Sequence, residues 1–397
     1  MKHKTKTPLA WKNLTHDWRR LVIALVGIAF AVLLMFSQVG FQNALFDSQV
    51  KMINDLEGDI FIVSKAKFTL AAEKRFPIAR LHQAQSCPGV LWAVPIYTEW
   101  TTSVLRKIEH GRGNPGYPIR SIGFPLDAPV FRSRDIRQQT KSLNSPGVAL
   151  IDRKSKVSEF SFPMHDDKKL AECSVELANQ KLTLVGTFAL GTDFANNGNL
   201  VMSAENFAHY FPHRKRFGDP LSVLDIGVVK VQPDYRIEEV QQVLLSTLSK
   251  DVFVYSRQEY LTKEIHFWDK STPIGTIFLA GKIIGFIVGM VICYQVIYSD
   301  IADHMPEFAT LKAMGYPTRY FMALIVMEAL LLALIGFLPG TLASVGLYSL
   351  LAGQTGLLMQ MSRGSVAFVL AATIAMCIAS GVLAVRKLLA ADPANLF

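Results

Sequence analysis

The sequence predicts an α-helical membrane protein with four transmembrane helices and a large α+β extracytoplasmic (periplasmic) domain between the first and second helices. Three observations carry this reading. Four runs, Leu21–Val39, Ile274–Tyr298, Tyr320–Leu338 and Val366–Val385, approach or exceed the roughly 20 apolar residues that cross a bilayer. Half of the 397 residues are hydrophobic. The stretch between the first two runs, residues 40–273, instead alternates short strand-like and helix-like patterns.

Charge sets the orientation. The formal net charge is +9, from 41 Lys and Arg against 32 Asp and Glu. Residues 45–270 hold 29 of these bases and 26 of these acids, so no nucleic-acid-binding surface is indicated there. The excess sits before the first run, where Lys2, Lys4, Lys6, Lys12, Arg19 and Arg20 face only Asp17. Basic flanks stay cytoplasmic. Both termini are therefore placed inside, Arg386 and Lys387 following the last run, with localisation in the inner (plasma) membrane.

Residues 1–20 form a cytoplasmic segment in which Leu14, Trp18 and Leu21 share one helical face. It reads as an interfacial amphipathic helix or as a disordered basic tail. No small-residue cleavage site follows the first run (21–39), so it reads as an uncleaved anchor, its helix continuing outward through Asn43–Met52. In the outer domain, strands are predicted at Asp59–Ser64, Leu91–Trp100, Val148–Asp152, Lys181–Leu190, Asn199–Met202, Leu224–Val231 and Val252–Val254. Helices are predicted near Ile78–Gln85, Arg236–Leu248 and Gln258–Phe267, with Ser203 as an N-cap. Residues 104–145, rich in Arg, Pro and Gly, read as a loop or irregular insertion. Cys87 and Cys173 lie where a disulfide can form, and spacing leaves that open; Cys293 and Cys377 fall within spans. The second span (274–298) leads into a cytoplasmic loop (299–319). The third span (320–338) is followed by a periplasmic connection (339–365), with Pro339 kinking or ending the helix. The fourth span (366–385) precedes a cytoplasmic tail (386–397).

Chemistry is sparse. The nearest approach to a P-loop, Gly275 to Gly281-Lys282-Ile283, has five intervening residues and no hydroxyl. His209 and His213 are separated by Pro212, which breaks any common helix face, and no metal site is indicated. No catalytic or cofactor-binding residue is assigned. Two charges lie within the spans, Lys282 and Glu328, where charge is expensive. Counted from the run ends, their depths differ by less than about 10 Å, which predicts a pair within or between subunits; the alternative is that Lys282 snorkels and Glu328 is protonated or hydrogen-bonded.

The loop Asp300–Arg319 carries the signals of a short helix over about Pro306–Met314. Pro306 suits the first turn, Glu307 the positive end and Lys312 the negative end. Gly315 and Pro317 end it. Phe308, Leu311 and Met314 form an apolar strip that needs a partner, either another protein or the spans themselves.

The runs YSDIADHMPEFATLKAMGY, MEALLLALIGFLPG and RKLLAADPANLF resemble the DevC-like permeases of the MacB/FtsX-type (type VII) ABC transporter superfamily. So do PLAWKNLTHDWRRLVIALVGIAFAVLLMFSQVGFQ, DIFIVS, GVALIDRKS and VGTFALGTDFANNGNLVMS, leaving residues 101–145 as the weakest part. The resemblance implies a permease homodimer without ATPase activity of its own, bound to a cytoplasmic ABC ATPase dimer that holds the ATP. It implies porter-like half-modules near 55–100 and 222–262 with an inserted lobe. It implies a periplasmic adaptor, a TolC-like outer-membrane channel and a glycolipid or other envelope-associated substrate. On the same basis Glu307, Phe308, Leu311, Lys312 and Met314 are the expected ATPase contact. The alternative within the superfamily is an FtsX-like regulator that activates a periplasmic envelope hydrolase without moving cargo.

Overall fold

The computed structural model describes residues 18–108, 116–156, 159–160, 162–164, 166–193, 195–306, 310, 314–355 and 359–390. They fall into two compact units, one within Met1–Ala44, Pro273–Gly353 and Met359–Phe397, the other within Leu45–Thr272 and Gln354–Leu358.

In chain order the elements are α1 Trp18–Asp55, β1 Ile60–Ser64, β2 Phe76–Pro77, α2 Ala79–Gln85, β3 Val90–Glu99, β4 Val104–Lys107, β5 Tyr117–Pro118 and β6 Arg120–Phe124. Next come α3 Arg134–Gln139, β7 Val148–Asp152, α4 Asp167–Glu172, β8 Val175–Leu177, β9 Gln180–Phe188, β10 Asn199–Ser203 and α5 Ala204–Tyr210. The outer unit closes with β11 Val223–Leu224, β12 Ile226–Val231, α6 Ile237–Thr247, β13 Val252–Ser256 and α7 Arg257–Lys270. The remaining helices are α8 Pro273–Asp303, α9 Thr318–Thr355 and α10 Arg363–Ala390.

Among the described residues, eleven strands of the outer unit form one sheet, ordered β13-β1-β12-β3-β6-β10-β7-β9-β8-β4-β5. Its first four strands are two interleaved βαβ units, β1-α2-β3 and β12-α6-β13, with every neighbouring pair antiparallel. This is the ferredoxin-like arrangement. Alternation along β1 builds two cores. Ile60 and Ile62 face Phe76, Leu81 and Leu244, whereas Phe61 and Val63 face Met52, Ile53 and Tyr260. The chain between β3 and β12 forms the inserted lobe. Its helix α5 starts at Ser203, whose Oγ accepts from the Asn206 N–H at 3.1 Å.

The lobe corrects one expectation. Residues 104–145 are not irregular throughout: they contain β4, β5, β6 and α3. Strand β6 lies mid-sheet, antiparallel to β3 and parallel to β10. All four cysteines are free thiols, so Cys87 and Cys173 form no disulfide.

Among the described residues, α1, α8, α9 and α10 are long and apolar enough to cross a membrane. They pack through small residues, which let helix backbones approach closely. Gly281, Gly285 and Gly289 of α8 face Gln38, Met35 and Ala31 of α1. Gly336 and Gly340 of α9 face Ile28 and Val32 of α1, and Gly381 of α10 faces Ile325 of α9. The Ser380 Oγ on α10 donates to Met290 O on α8 at 2.7 Å. Helix α9 continues through Pro339 to Thr355 rather than ending there. Beyond it, Thr341 Oγ1 donates to Phe337 O at 2.8 Å and Ser344 Oγ to Gly340 O at 2.7 Å, hydroxyls bonded back to the preceding turn.

Candidate coupling site

The turn between α8 and α9 begins with charge. Arg20 of α1 pairs with Asp303 at the end of α8. Within the turn, Thr310 Oγ1 donates to Pro306 O at 2.9 Å and Met314 N–H to Thr310 O at 3.0 Å, both at helical spacing. Gly315 then adopts φ +92°, the left-handed conformation that ends a helix and suits glycine. Met314 is 62% exposed and thus available to a partner. Glu307, Phe308, Leu311 and Lys312 lie outside the described residues. The sequence reading used Arg20 only to set orientation and missed its partner, because the two ends of this pair lie 283 residues apart.

The two intramembrane charges do not share a depth. Glycine contacts set Lys282 level with about residue 38 of α1, and its Nζ donates to Gln42 Oε1 at 2.8 Å. Helix α9 runs parallel to α1, with Gly336 against Ile28. Buried Glu328, eight residues earlier, is therefore level with about residue 20. Some 18 residues of rise separate the two levels, about 27 Å at 1.5 Å each. This corrects the expected Lys282–Glu328 pair. The error arose because depths were counted from the ends of apolar runs, and α9 extends well past Leu338.

In the outer unit, the segment 65–75 between β1 and β2 ties α7 to the junction of the inserted lobe. At one end, Glu264 of α7 accepts from Thr69 Oγ1, from Leu70 N–H at 2.9 Å and from Trp268 Nε1 at 3.0 Å. Lys263 Nζ donates to Lys67 O at 2.8 Å. Burial holds the Glu264 carboxyl above its ordinary value, opposed by those donors. Burial likewise pushes the Lys67 ammonium below its ordinary value, opposed by the charges of Asp225 and Glu264. At the other end, Glu73 accepts from Trp100 N–H at 2.9 Å and Thr101 N–H at 3.0 Å, where the chain enters the lobe. Arg75 Nη2 donates to Glu99 Oε2 at 2.6 Å.

Glu99 belongs to a buried ionic cluster at that junction. Arg214 Nη2 donates to Asp225 Oδ2 at 2.9 Å, and Arg214 Nη1 stands 3.6 Å from Glu99 Oε2. The same guanidinium donates to Thr98 O at 2.9 Å and Val223 O at 3.2 Å. Thr98 N–H returns a bond to Asp225 Oδ2 at 2.9 Å. Glu99 ends β3, where the chain leaves the ferredoxin-like base, and Asp225 precedes β12, where it returns. The cluster therefore locks the lobe's exit and re-entry points together. His213, considered above for metal binding, lies 3.5 Å from Glu99 Oε2 at the cluster's edge. Segment 65–75 thus bonds to α7 at one end and to the entry of the lobe at the other.

The FtsX-like permease C-terminal family matches residues 279–393. An uncharacterised ABC transporter permease of Mycobacterium tuberculosis (strain ATCC 25618 / H37Rv) is 22% identical over 382 residues, covering 96% of this chain and 95% of the relative. One from Mycobacterium bovis is 24% identical over 333 residues, covering 82% of each chain. Among solved structures, the chain is similar to the periplasmic region of MacB from Actinobacillus actinomycetemcomitans, with 14% identity and TM-score 0.32 over 50% of this chain and 88% of that one. It is also similar to the extracellular domain of the noncanonic ABC-type transporter YknZ from Gram-positive bacteria, with 12% identity and TM-score 0.31 over 50% of this chain and 99% of that one. Residues 279–393 thus carry an FtsX-like permease C-terminal region, and over nearly its whole length the chain is similar to an ABC transporter permease.

Proposed function

We propose that this permease is the membrane subunit of a DevC-like exporter driven by a separate cytoplasmic ABC ATPase dimer. The ATPase binds the ATP, and the permease carries no cofactor and no catalytic group. Two copies of the chain sit in the inner membrane with both termini cytoplasmic. Glu307, Phe308, Leu311, Lys312 and Met314 contact the ATPase. The outer domains engage a periplasmic adaptor and a TolC-like channel, and the cargo is a glycolipid or similar envelope-associated lipid.

The observation that carries this reading is the polar path through the outer unit. Helix α7 is joined to the membrane helix α8 through Ser271 and Thr272, and Thr272 Oγ1 donates back to Trp268 O at 2.6 Å. In this reading a shift of α8 pulls on α7 through the covalent chain. Glu264, segment 65–75 and the Glu99–Arg214–Asp225 cluster then pass it to the lobe. A permease powered from the cytoplasm and working on the far side requires such a relay.

Purification in mild detergent with mass spectrometry of co-purifying proteins and lipids tests the reading. An ATPase, an adaptor and a retained glycolipid support it. A monomer without ATPase overturns it, and an envelope hydrolase in place of the adaptor overturns the export role. Phe308→Asp is expected to leave membrane insertion intact and lower ATPase association; unchanged association removes Phe308 from the contact.

A further inference from the structure

Within the membrane unit, α8 and α10 run side by side in the same direction. Gly289 faces Met376, Ser380 Oγ donates to Met290 O, and Gly381 faces Ile297. Beside this seam lies a groove of about 450 Å³, lined by Met290, Val291 and Tyr294 of α8 and by Leu383 and Arg386 of α10. Spacings of three and four residues put each set on one face of its helix. Val291 is 56% exposed and Leu383 48%. The volume falls within the range of about 300–1,000 Å³ typical of ligand sites. The walls are apolar and aromatic except for the arginine.

The same contacts fix where the arginine stands along the helices. Arg386 follows Ser380 by six residues, so helical rise sets it about 9 Å past the level of Met290, near residue 296 of α8. Both apolar runs end at that level, α8 at Tyr298 and α10 at Val385. Tyr294 and Tyr298 stack there with centroids 5.8 Å apart, and tyrosines concentrate at the membrane interface. The groove is therefore apolar along the span and positive where the span ends. A second copy of the chain would have to bring a carboxylate to Arg386. Among the described residues of the membrane unit the acids are Asp300, Asp303 and Glu328. Asp303 pairs with Arg20, Asp300 stands 3.8 Å from His304, and Glu328 is buried. A guanidinium suits phosphate, and the lipid around the spans supplies phosphate and acyl chain together.

We infer that the groove between α8 and α10 binds an anionic phospholipid, with an acyl chain along Met290, Val291, Tyr294 and Leu383 and the headgroup phosphate on Arg386. Basic pockets between membrane helices hold anionic headgroups in this way. The inference rests on α8 and α10 crossing a membrane, and not on the ATPase, the cargo or the adaptor.

The test is native mass spectrometry of the full-length protein in detergent, titrated with phosphatidylglycerol and, separately, with phosphatidylcholine of the same chains. The wild type should hold phosphatidylglycerol more tightly than phosphatidylcholine. Arg386→Gln should lower that preference about fivefold, the worth of one basic residue beside anionic lipid. Arg363→Gln, which removes an exposed arginine from the opposite end of α10, should leave it intact. Val291→Trp and Leu383→Trp fill the groove from either wall, keep the arginine, and should each weaken phosphatidylglycerol binding. Glycerophosphoglycerol, the same headgroup without chains, should not compete. Equal retention of the two lipids by the wild type overturns the inference, as does a preference that survives Arg386→Gln. Competition by the chainless headgroup overturns it too, since the apolar walls then contribute nothing. So does a dimer that holds no phosphatidylglycerol and dissociates with Val291→Trp, which puts a second copy over the groove. An unchanged onset of thermal aggregation verifies that each variant keeps its fold.

Discussion

Replacing Arg214 with Met probes the junction cluster directly. The guanidinium is fully buried and makes three hydrogen bonds, to Thr98 O, Val223 O and Asp225 Oδ2. It also lies 5.0 Å over the Phe207 ring. Met keeps much of the stem packing and removes the charge. Glu99 and Asp225, both buried, would then share Arg75, which approaches Asp225 Oδ1 at 3.6 Å from a partly exposed position, with His213 beside Glu99 alone. Breaking a buried ion pair by removing one partner costs about 3–5 kcal/mol. At about 1.4 kcal/mol per tenfold, the local opening equilibrium rises by about two to three orders of magnitude. A chain with two units does not offer one global unfolding transition. The assay is therefore hydrogen exchange by mass spectrometry on the full-length protein in detergent, read on β3, β12 and the segment 212–225. Protection there should fall while that of β7 and β9 holds. A change below about tenfold refutes the argument that the cluster locks the lobe. Adding Glu99→Gln and Asp225→Asn should recover part of the loss, because the stranded charge is then removed as well. If it recovers nothing, the loss is packing against Phe207 and Tyr97 and the electrostatic reasoning fails.

Glu264→Gln should leave the Leu70 N–H facing an amide donor or unpaired, at about 1–3 kcal/mol, seen as faster exchange in residues 67–72. The Glu264 carboxyl is raised by burial, so the folded state holds its proton more tightly than the unfolded state. Protection of this segment, corrected for intrinsic exchange, should accordingly fall as pH rises from the ordinary glutamate value through the raised one. The Gln variant should lack that slope. Gly340→Ala places a Cβ 2.8 Å from Ala29 O, backbone that cannot step aside, and overpacking of this kind costs about 1–3 kcal/mol. Gly346→Ala meets nothing within 4 Å, so thermal aggregation in detergent should be advanced by the first substitution and not by the second. Lys282→Met and Glu328→Gln should have additive effects on assembly to within about 0.3–0.5 kcal/mol, given their separation in depth. Marked non-additivity in a co-purification assay would restore a direct pair.

The spans and the ferredoxin-like base were legible because their signals are local. Leu21–Val39 and Ile274–Tyr298 are uninterrupted, and LDIGVVKV is apolar on both faces as a mid-sheet strand must be. Strand β6 was not legible. Its residues, Arg-Ser-Ile-Gly-Phe, lack a β-rich composition, and it forms because β3 and β10 flank it. Gly281 was weighed only within a nucleotide-binding pattern, although its four-residue spacing to Gly285 and Gly289 marks a helix-packing face.

The junction cluster failed to register for a reason that follows from the topology. In an interleaved sheet, β3 and β12 are neighbours in space although the whole lobe lies between them in sequence. The insertion therefore leaves and re-enters at adjacent points, and its two ends need holding together there. Backbone pairing carries the register from Ile96 opposite Ile226 downwards. Beyond it, Thr98 and Glu99 keep their pairing with β6 on the opposite edge of β3 but have no ladder partner on the β12 side. There Arg214 donates to the Thr98 and Val223 carbonyls. A buried carbonyl there needs a donor, an arginine supplies several, and a buried arginine then needs carboxylates. Glu99 and Asp225 follow from that requirement, and each looks like an ordinary surface charge in any local window of sequence.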